Sequence, residues 1–294
     1  MRRIIVSLIA LLAIAAPTTR ADNEIVFEKD IEYANPQDTH LQLNLARPKD
    51  GVGPFPGVVC IHGGGFRAGK RERWDKLCQQ LAGKGYVAIT VQYRLSPTYQ
   101  FPAAIEDVKT AVRWMRANSG KYHVDPNRIG VIGDSAGGHL AQFLGVTGDV
   151  KTFDGQGYND QSSAVQCVVN YYGPSDFTKS YGKSVDAAEV LPMWLGGNAQ
   201  QEPRKHVLAS PLYWVTPDAP PTLAIQGTKD RYVNYEQSVW IIDRLLQAGV
   251  PAELETIEGS DHGFKGADAT RAEQRMITFF DRFLQPAGGG ITAR

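Results

Sequence analysis

Four short stretches carry residue types that could do nucleophilic chemistry. Gly133-Asp134-Ser135-Ala136-Gly137 is a G-x-S-x-G pentapeptide at the point where an apolar run gives way to a helical pattern. His62-Gly63-Gly64-Gly65-Phe66 follows another apolar run, "GVVCI"; Asp230 lies in "IQGTKDRYV" and His262 in "EGSDHGF". A serine hydroxyl is a weak nucleophile until a base takes its proton. An imidazole serves as that base when a carboxylate sets its tautomer and stabilises its cation. Attack on an acyl carbon also drives negative charge onto the former carbonyl oxygen, where backbone N–H groups aimed in advance stabilise it.

Each stretch also has a plainer reading. Serine caps helices, and glycine-rich strand-to-helix turns cradle phosphates; no lysine follows these glycines to meet a phosphate, which weighs against the second role. A serine held on a sharp turn between small neighbours presents its hydroxyl above a sheet, and Gly133 and Gly137 would supply that room. Ala136, at the start of the helix, is then a candidate N–H donor to the charged oxygen, and the bare backbone of the three glycines after His62 can approach a ligand closely. Asp134 is read as helping to cap the helix.

Six histidines compete for the role of base. His262 stands on a loop after the late strand "AELETI". His139 lies four residues after Ser135 on the same helix and is expected to pack, and His62 belongs to the glycine loop. His40, His123 and His206 read as surface or loop residues. Asp230 follows the strand "TLAIQG" and fits the carboxylate. Asp176, after "VVNYYGP", is its rival; Asp261 is a poor partner because neighbouring side chains diverge. The order Ser135, Asp230, His262, each beyond a strand, is that of an α/β-hydrolase.

The elements that must position these residues are legible as alternating strands and helices. "GVVCI", "VAITV", "IGVIG", "VQCVVNYY" and "TLAIQG" are almost continuously apolar, as strands covered on both faces are. Ile105, Val108, Val112 and Met115 repeat at helical spacing, as do Trp74, Leu77 and Leu81; Met276, Phe279, Phe280 and Phe283 mark a closing helix. "EIVFEKDIEYA" and "LQLNLARP", joined by "NPQDTH", predict an antiparallel hairpin at one edge. The expected fold class is α/β, with a mostly parallel central sheet, helices on both faces and that N-terminal hairpin. Residues 178–221 break the rhythm with six prolines and are expected to form a pocket-shaping insertion.

At 294 residues and 43% hydrophobic, the chain can bury one large core. A single catalytic domain is expected over residues 22–285, followed by a flexible tail at 286–294. Zero formal charge and the lack of long basic runs argue against nucleic-acid partners. Three cysteines, Cys60, Cys78 and Cys167, give no disulfide framework and read as buried free thiols. Arg2 and Arg3 precede an apolar stretch from Ile4 to Ala16, and Thr19-Arg20-Ala21 carries small residues where signal peptidase reads them. Residues 1–21 are therefore expected to be a secretory signal, too short for the roughly 20-residue span of a membrane anchor, and the mature chain to be secreted or periplasmic.

"HGGGF", "YRLSP", "FPAAIEDVKTAVRW", "GDSAGGHLA", "GTKDRYV" and "DHGF" together resemble the hormone-sensitive-lipase-like esterases and the related secreted esterases found with polysaccharide-degrading enzymes. The resemblance covers about residues 25–285. It implies Ser135 as nucleophile, Asp230 as acid, His262 as base, and the N–H groups of Gly64, Gly65 and Ala136 as oxyanion donors, with no metal or organic cofactor. It also implies that Tyr93-Arg94 and Asp107 form a structural pairing. The lipase-like members carry a helical cap where this chain shows only a hairpin, which shifts the resemblance toward the cap-poor acetylxylan and feruloyl esterase (BD-FAE-like) group and implies a more open site.

The expected activity is removal of acetyl or feruloyl groups from plant polysaccharide by a serine carboxylic ester hydrolase, its partner a small ester or an acylated polysaccharide. A general short-chain carboxylesterase or lipase stands beside it. A prolyl-oligopeptidase-type peptidase shares the fold and residue order, but 294 residues leave no room for its usual propeller. An arylformamidase conflicts with the secretory signal. A noncatalytic binding module would be expected to lose triad members, and all three are present. Trp194, Tyr213, Trp214 and Tyr232 could stack on substrate, although such aromatics are more often core.

Overall fold

The computed structural model describes residues 24–285. The expected signal segment, residues 22 and 23 at the start of the expected domain, and the tail at 286–294 lie outside them. Among the described residues, eight strands form one sheet in the order β1-β2-β4-β3-β5-β6-β7-β8. β1 (Ile25–Ala34) and β2 (Leu41–Pro48) are the expected hairpin, and β2 pairs antiparallel with β4 (Val87–Val91). From there β3 (Phe55–Ile61), β5 (Val124–Asp134), β6 (Cys167–Tyr171), β7 (Thr222–Gly227) and β8 (Ala252–Ile257) all run parallel with β4.

Why the strands read as unbroken apolar runs is visible in the packing. Val59 and Ile61 enter one core cluster while Val58 and Cys60, their immediate neighbours, enter another on the opposite face. Successive side chains of a strand point to opposite faces, so covering both faces demands apolar residues at every position. The first cluster is closed by α2 (Ala103–Ala117) and α4 (Ala136–Val146), the second by α1 (Asp75–Gly83) and α8 (Gly266–Leu284). A third cluster joins Ala224 of β7 to Ile241 and Leu245 of α7 (Glu236–Gln247). The short α3 (Ser119–Tyr122) leads into β5. No helix among the described residues is long and apolar enough to cross a membrane.

Two boundaries differ from the sequence reading. β5 begins at Val124, because Phe55 pairs with Val124 ahead of a register shift at Gly57. β6 stops at Tyr171, because Tyr172 turns into a left-handed conformation with φ 42°. Between β6 and β7 the chain forms α5 (Ala187–Leu195) and α6 (Pro203–Leu208), flanked by single 3-10 turns. Both helices fall within the proline-rich stretch of residues 178–221. Its Trp194 is buried and stacks on Phe66 of the glycine loop at 3.8 Å.

Parallel pairing puts the C-terminal ends of β3, β5, β7 and β8 at one edge, with Ile61 level with Gly133 and Gly227 level with Ile257. The four stretches singled out in the sequence are the segments that leave that edge.

Candidate active site

Ser135 sits between β5 and α4 with φ 53° and ψ −120°, a backbone region that costs a non-glycine residue about 1 kcal/mol or more and persists only where its surroundings enforce it. Here its N–H donates to Tyr171 O at 2.8 Å, and its carbonyl accepts from the N–H of His139 at 2.9 Å. The flanking glycines are required by close approach. A Cβ on Gly133 would lie 2.1 Å from Gly137 O, and one on Gly137 would lie 2.2 Å from Ile61 O. Bulkier residues would push apart the strand end, the helix and β3 at the point where the hydroxyl must emerge.

His262 Nε2 lies 2.9 Å from Ser135 Oγ, and His262 Nδ1 lies 2.7 Å from Asp230 Oδ2. A carboxylate can only accept, so Nδ1 carries the proton and donates it, leaving Nε2 as acceptor for the serine hydroxyl. Asp230 is itself held from four directions. Oδ1 accepts the N–H groups of Tyr232 and Val233, each at 2.9 Å, while Oδ2 accepts Gln226 Nε2 at 2.9 Å as well as the imidazole. The rings of Tyr172 and Tyr232 pack on His262 with centroids 4.6 and 5.1 Å away. Burial, reinforced by the nearby Asp134 charge, raises the Tyr172 phenol well above its usual pKa and keeps it neutral.

The competing residues are placed elsewhere. Asp176 caps a 3-10 turn by accepting from Thr178 N–H, and Asp261 accepts from the N–H of His262 and from Arg231. His139 is buried and bonds Ala209 O at 2.7 Å, packed against Phe66, Phe177 and Trp194; burial lowers its pKa to about 3. His62 stacks on Tyr93 at 4.4 Å, and burial lowers its pKa too. His40 and His123 are exposed, as read from the sequence. His206 is not a surface residue: α6 turns it inward, where it bonds Tyr181 Oη and Glu202 O, both at 2.9 Å.

Asp134 also departs from expectation. It does not cap α4, which has no side-chain cap. Its Oδ1 instead accepts the N–H of Gly63 at 2.8 Å, and its Oδ2 pairs with Arg73 at 2.7 Å. Asp134 belongs to the strand, so its side chain projects sideways to β3's loop rather than along the helix. Tyr93 Oη donates to His62 O at 2.8 Å, and Arg94 grips the buried Asp107 at 2.8–3.0 Å, the structural pairing the resemblance implied.

Gly65, Ser135 and Ala136 share one pocket of about 70 Å³, walled by Phe177, Val190 and Leu191. Among the described residues the N–H groups of Gly65 and Ala136 donate to no protein acceptor. The same is true of Gly64, which lies at the exposed edge with φ 125° rather than in the pocket wall. Of the four aromatics considered for stacking, Trp194 and Trp214 are packed into the core, whereas Tyr213 and Tyr232 are exposed, Tyr232 lining the pocket. Cys60, Cys78 and Cys167 are buried free thiols.

The BD-FAE family model matches residues 43–245, from β2 into α7. The chain belongs to the BD-FAE family. Esterase LipC of Mycobacterium tuberculosis is 32% identical over 237 residues, which is 78% of this chain and 58% of LipC. A truncated carbohydrate esterase from gut microbiota superposes with a TM-score of 0.79 at 27% identity, over 92% of this chain and 100% of its own. A bifunctional GH43-CE of Bacteroides eggerthii superposes with a TM-score of 0.78 at 30% identity, over 87% of this chain and 38% of its own. This BD-FAE chain spans 58% and 62% of the first two curated relatives it matches. Its fold is that of the α/β-hydrolase esterases.

Sequence reasoning missed three residues of this BD-FAE site. Gln226 carried a signal, being a buried amide that directly follows the apolar run Leu223-Ala224-Ile225. Tyr172 and Arg73 carried none, since a second tyrosine at a strand end and an arginine after a glycine loop have many uses.

Proposed function

We propose that this chain is a serine carboxylic ester hydrolase that removes acetyl groups from carbohydrate, exported by its N-terminal segment. The observation that carries the reading is the unbroken relay from Asp230 through His262 to Ser135, at 2.7 and 2.9 Å. Ser135 Oγ attacks the ester carbonyl as His262 Nε2 takes its proton. The carbonyl oxygen becomes an anion facing the N–H groups of Gly65 and Ala136, joined by Gly64 from the rim. His262 then returns the proton to the departing alcohol oxygen, leaving an acyl-serine, and in the second half the same nitrogen activates water to release the acid. The Asp230 carboxylate stabilises the imidazolium.

The apolar wall of Phe177, Val190 and Leu191 beside Ser135 suits the methyl of an acetyl group. The carbohydrate side rests on the kinship with carbohydrate esterases of known structure.

Release of acetate from acetylated xylan and turnover of p-nitrophenyl acetate are expected. Ser135→Ala is expected to lower kcat on p-nitrophenyl acetate by about 10⁴-fold or more. Cleavage of a peptide p-nitroanilide without ester turnover would contradict the reading, as would full activity in Ser135→Ala.

A further inference from the structure

A second concavity, of about 240 Å³, lies between α1 and α8 and is lined by Tyr172, which does not line the pocket beside Ser135. Its floor is aromatic. Trp74 faces Tyr171 with centroids 6.3 Å apart, Tyr171 meets Tyr172 and Phe264 at 6.1 Å, and Tyr172 meets Phe264 at 5.0 Å and His262 at 4.6 Å. Its rim is polar and charged, with Arg73, Lys76 and Gln80 on one side and Glu273 on the other. Trp74 and Phe264 are half-buried, so ring surface remains available, while Arg73 and Lys76 are exposed. Nothing in the relay uses Trp74, Lys76, Gln80 or Glu273.

We propose that this groove is a glycosyl-binding subsite for the alcohol side of the substrate. A pyranose ring has an apolar C–H face and a belt of hydroxyls. An aromatic floor with donors and an acceptor at its rim matches both, in the usual form of a pocket that is apolar with a few placed polar groups. Its position follows from the chemistry: His262 Nε2 must hand its proton to the departing alcohol oxygen, so that half of the ester leaves past His262. The groove starts at the ring that packs on His262, and its rim residue Arg73 is tied to Asp134, the neighbour of Ser135. The pocket beside Ser135, small and walled by Phe177, Val190 and Leu191, is left for the acyl group.

This inference rests on the esterase reading for its kinetics but not for its binding. The test compares the wild type with a Lys76→Ala/Gln80→Ala/Glu273→Ala variant and, separately, with Trp74→Leu, both checked for folding by circular dichroism. One measurement is the ratio of kcat/KM on an acetylated xylo-oligosaccharide to kcat/KM on p-nitrophenyl acetate. The other is the Kd of unmodified xylohexaose by calorimetry, taken in the Ser135→Ala background. The expected result is a ratio at least ten-fold lower, through KM, with xylohexaose affinity weakened in parallel. A ratio that stays constant, because both substrates suffer equally or neither does, overturns the proposal, as does xylohexaose that fails to bind or binds the variants unchanged. A selective loss on methyl ferulate would reassign the groove to an aryl acyl group and overturn it too. If the wild type hydrolyses neither ester while the variants still weaken xylohexaose binding, the subsite stands and the esterase reading falls.

Discussion

Asp134 Oδ1 accepts a 2.8 Å hydrogen bond from the N–H of Gly63, joining the residue before Ser135 to the loop that carries Gly64 and Gly65. Ser135 follows β5 and the glycine loop follows β3, and this bond ties the two together. Both groups are buried, so deleting the acceptor leaves an unpaired N–H at a cost of about 1–3 kcal/mol. Asp134→Ala is expected to lower kcat by roughly 10- to 100-fold with little change in KM, a fraction of what a lost oxyanion donor costs. Asp134→Asn keeps an acceptor for Gly63 and should recover most of that loss. Steady-state kinetics on p-nitrophenyl acetate decide it, and equal damage from both substitutions would show that the charge toward Arg73, not the bond to Gly63, matters.

Gln226 holds Asp230 from below and is held in turn by Ser238 Oγ, whose 3.0 Å bond to Oε1 points Nε2 at the carboxylate. Gln226→Leu is close in volume and removes that donor. A hydrogen bond to a charged group contributes about 1.5–3 kcal/mol, so kcat should fall by at least ten-fold while Ser135 remains reactive toward a small phosphonate inhibitor at a reduced rate. Unchanged kcat with unchanged stability would show that the two backbone N–H groups alone orient Asp230.

His139 makes acid stability measurable. Its pKa is lowered by burial to about 3, below the ordinary histidine value of 6.5. The native state therefore keeps it neutral while the unfolded chain protonates it, so its contribution is fully present above pH 6.5 and is lost as pH falls toward 3. The amount is on the order of 5 kcal/mol over that whole interval. Asp107 works with the opposite sign: burial raises its carboxyl to about 6, so stability drawn from it fades as pH rises from the usual carboxylate range to that value. His139→Gln, which can still donate to Ala209 O, isolates the histidine. Urea unfolding from pH 7 to pH 4 should show the gap between wild type and variant narrowing steadily with acid, and a pH-independent gap would contradict the assignment.

Arg94 and Asp107 are both nearly inaccessible, at 5% and 2% exposure, and lie far from solvent screening. Removing one partner strands the other charge, which typically costs about 3–5 kcal/mol. Arg94→Met is expected to lower Tm by several degrees while the Ser135–His262–Asp230 relay stays assembled, read as unchanged KM in the folded fraction. A variant as stable as wild type would show that water reaches Asp107.

The primary structure determined more of this protein than its length would suggest, and for an identifiable reason. The hairpin, the parallel strands and the positions of Ser135, Asp230 and His262 were legible because each rests on a local rule. Strands covered on both faces must be apolar throughout, a serine on a strained turn needs small neighbours, and the relay residues leave the same sheet edge once the strands are parallel. What only the tertiary structure decided are relationships between side chains of distant elements. Asp134 reads as a helix cap because sequence shows its neighbours along the chain, whereas its partner Gly63 lies 71 residues away across a strand pair. His206 reads as a surface residue because α6 belongs to an irregular insertion whose inward face no period reveals. Gln226 behind Asp230 and the aromatic groove between α1 and α8 depend on which helices pack on which face. That choice is made by burial of whole surfaces, not by any local sequence preference.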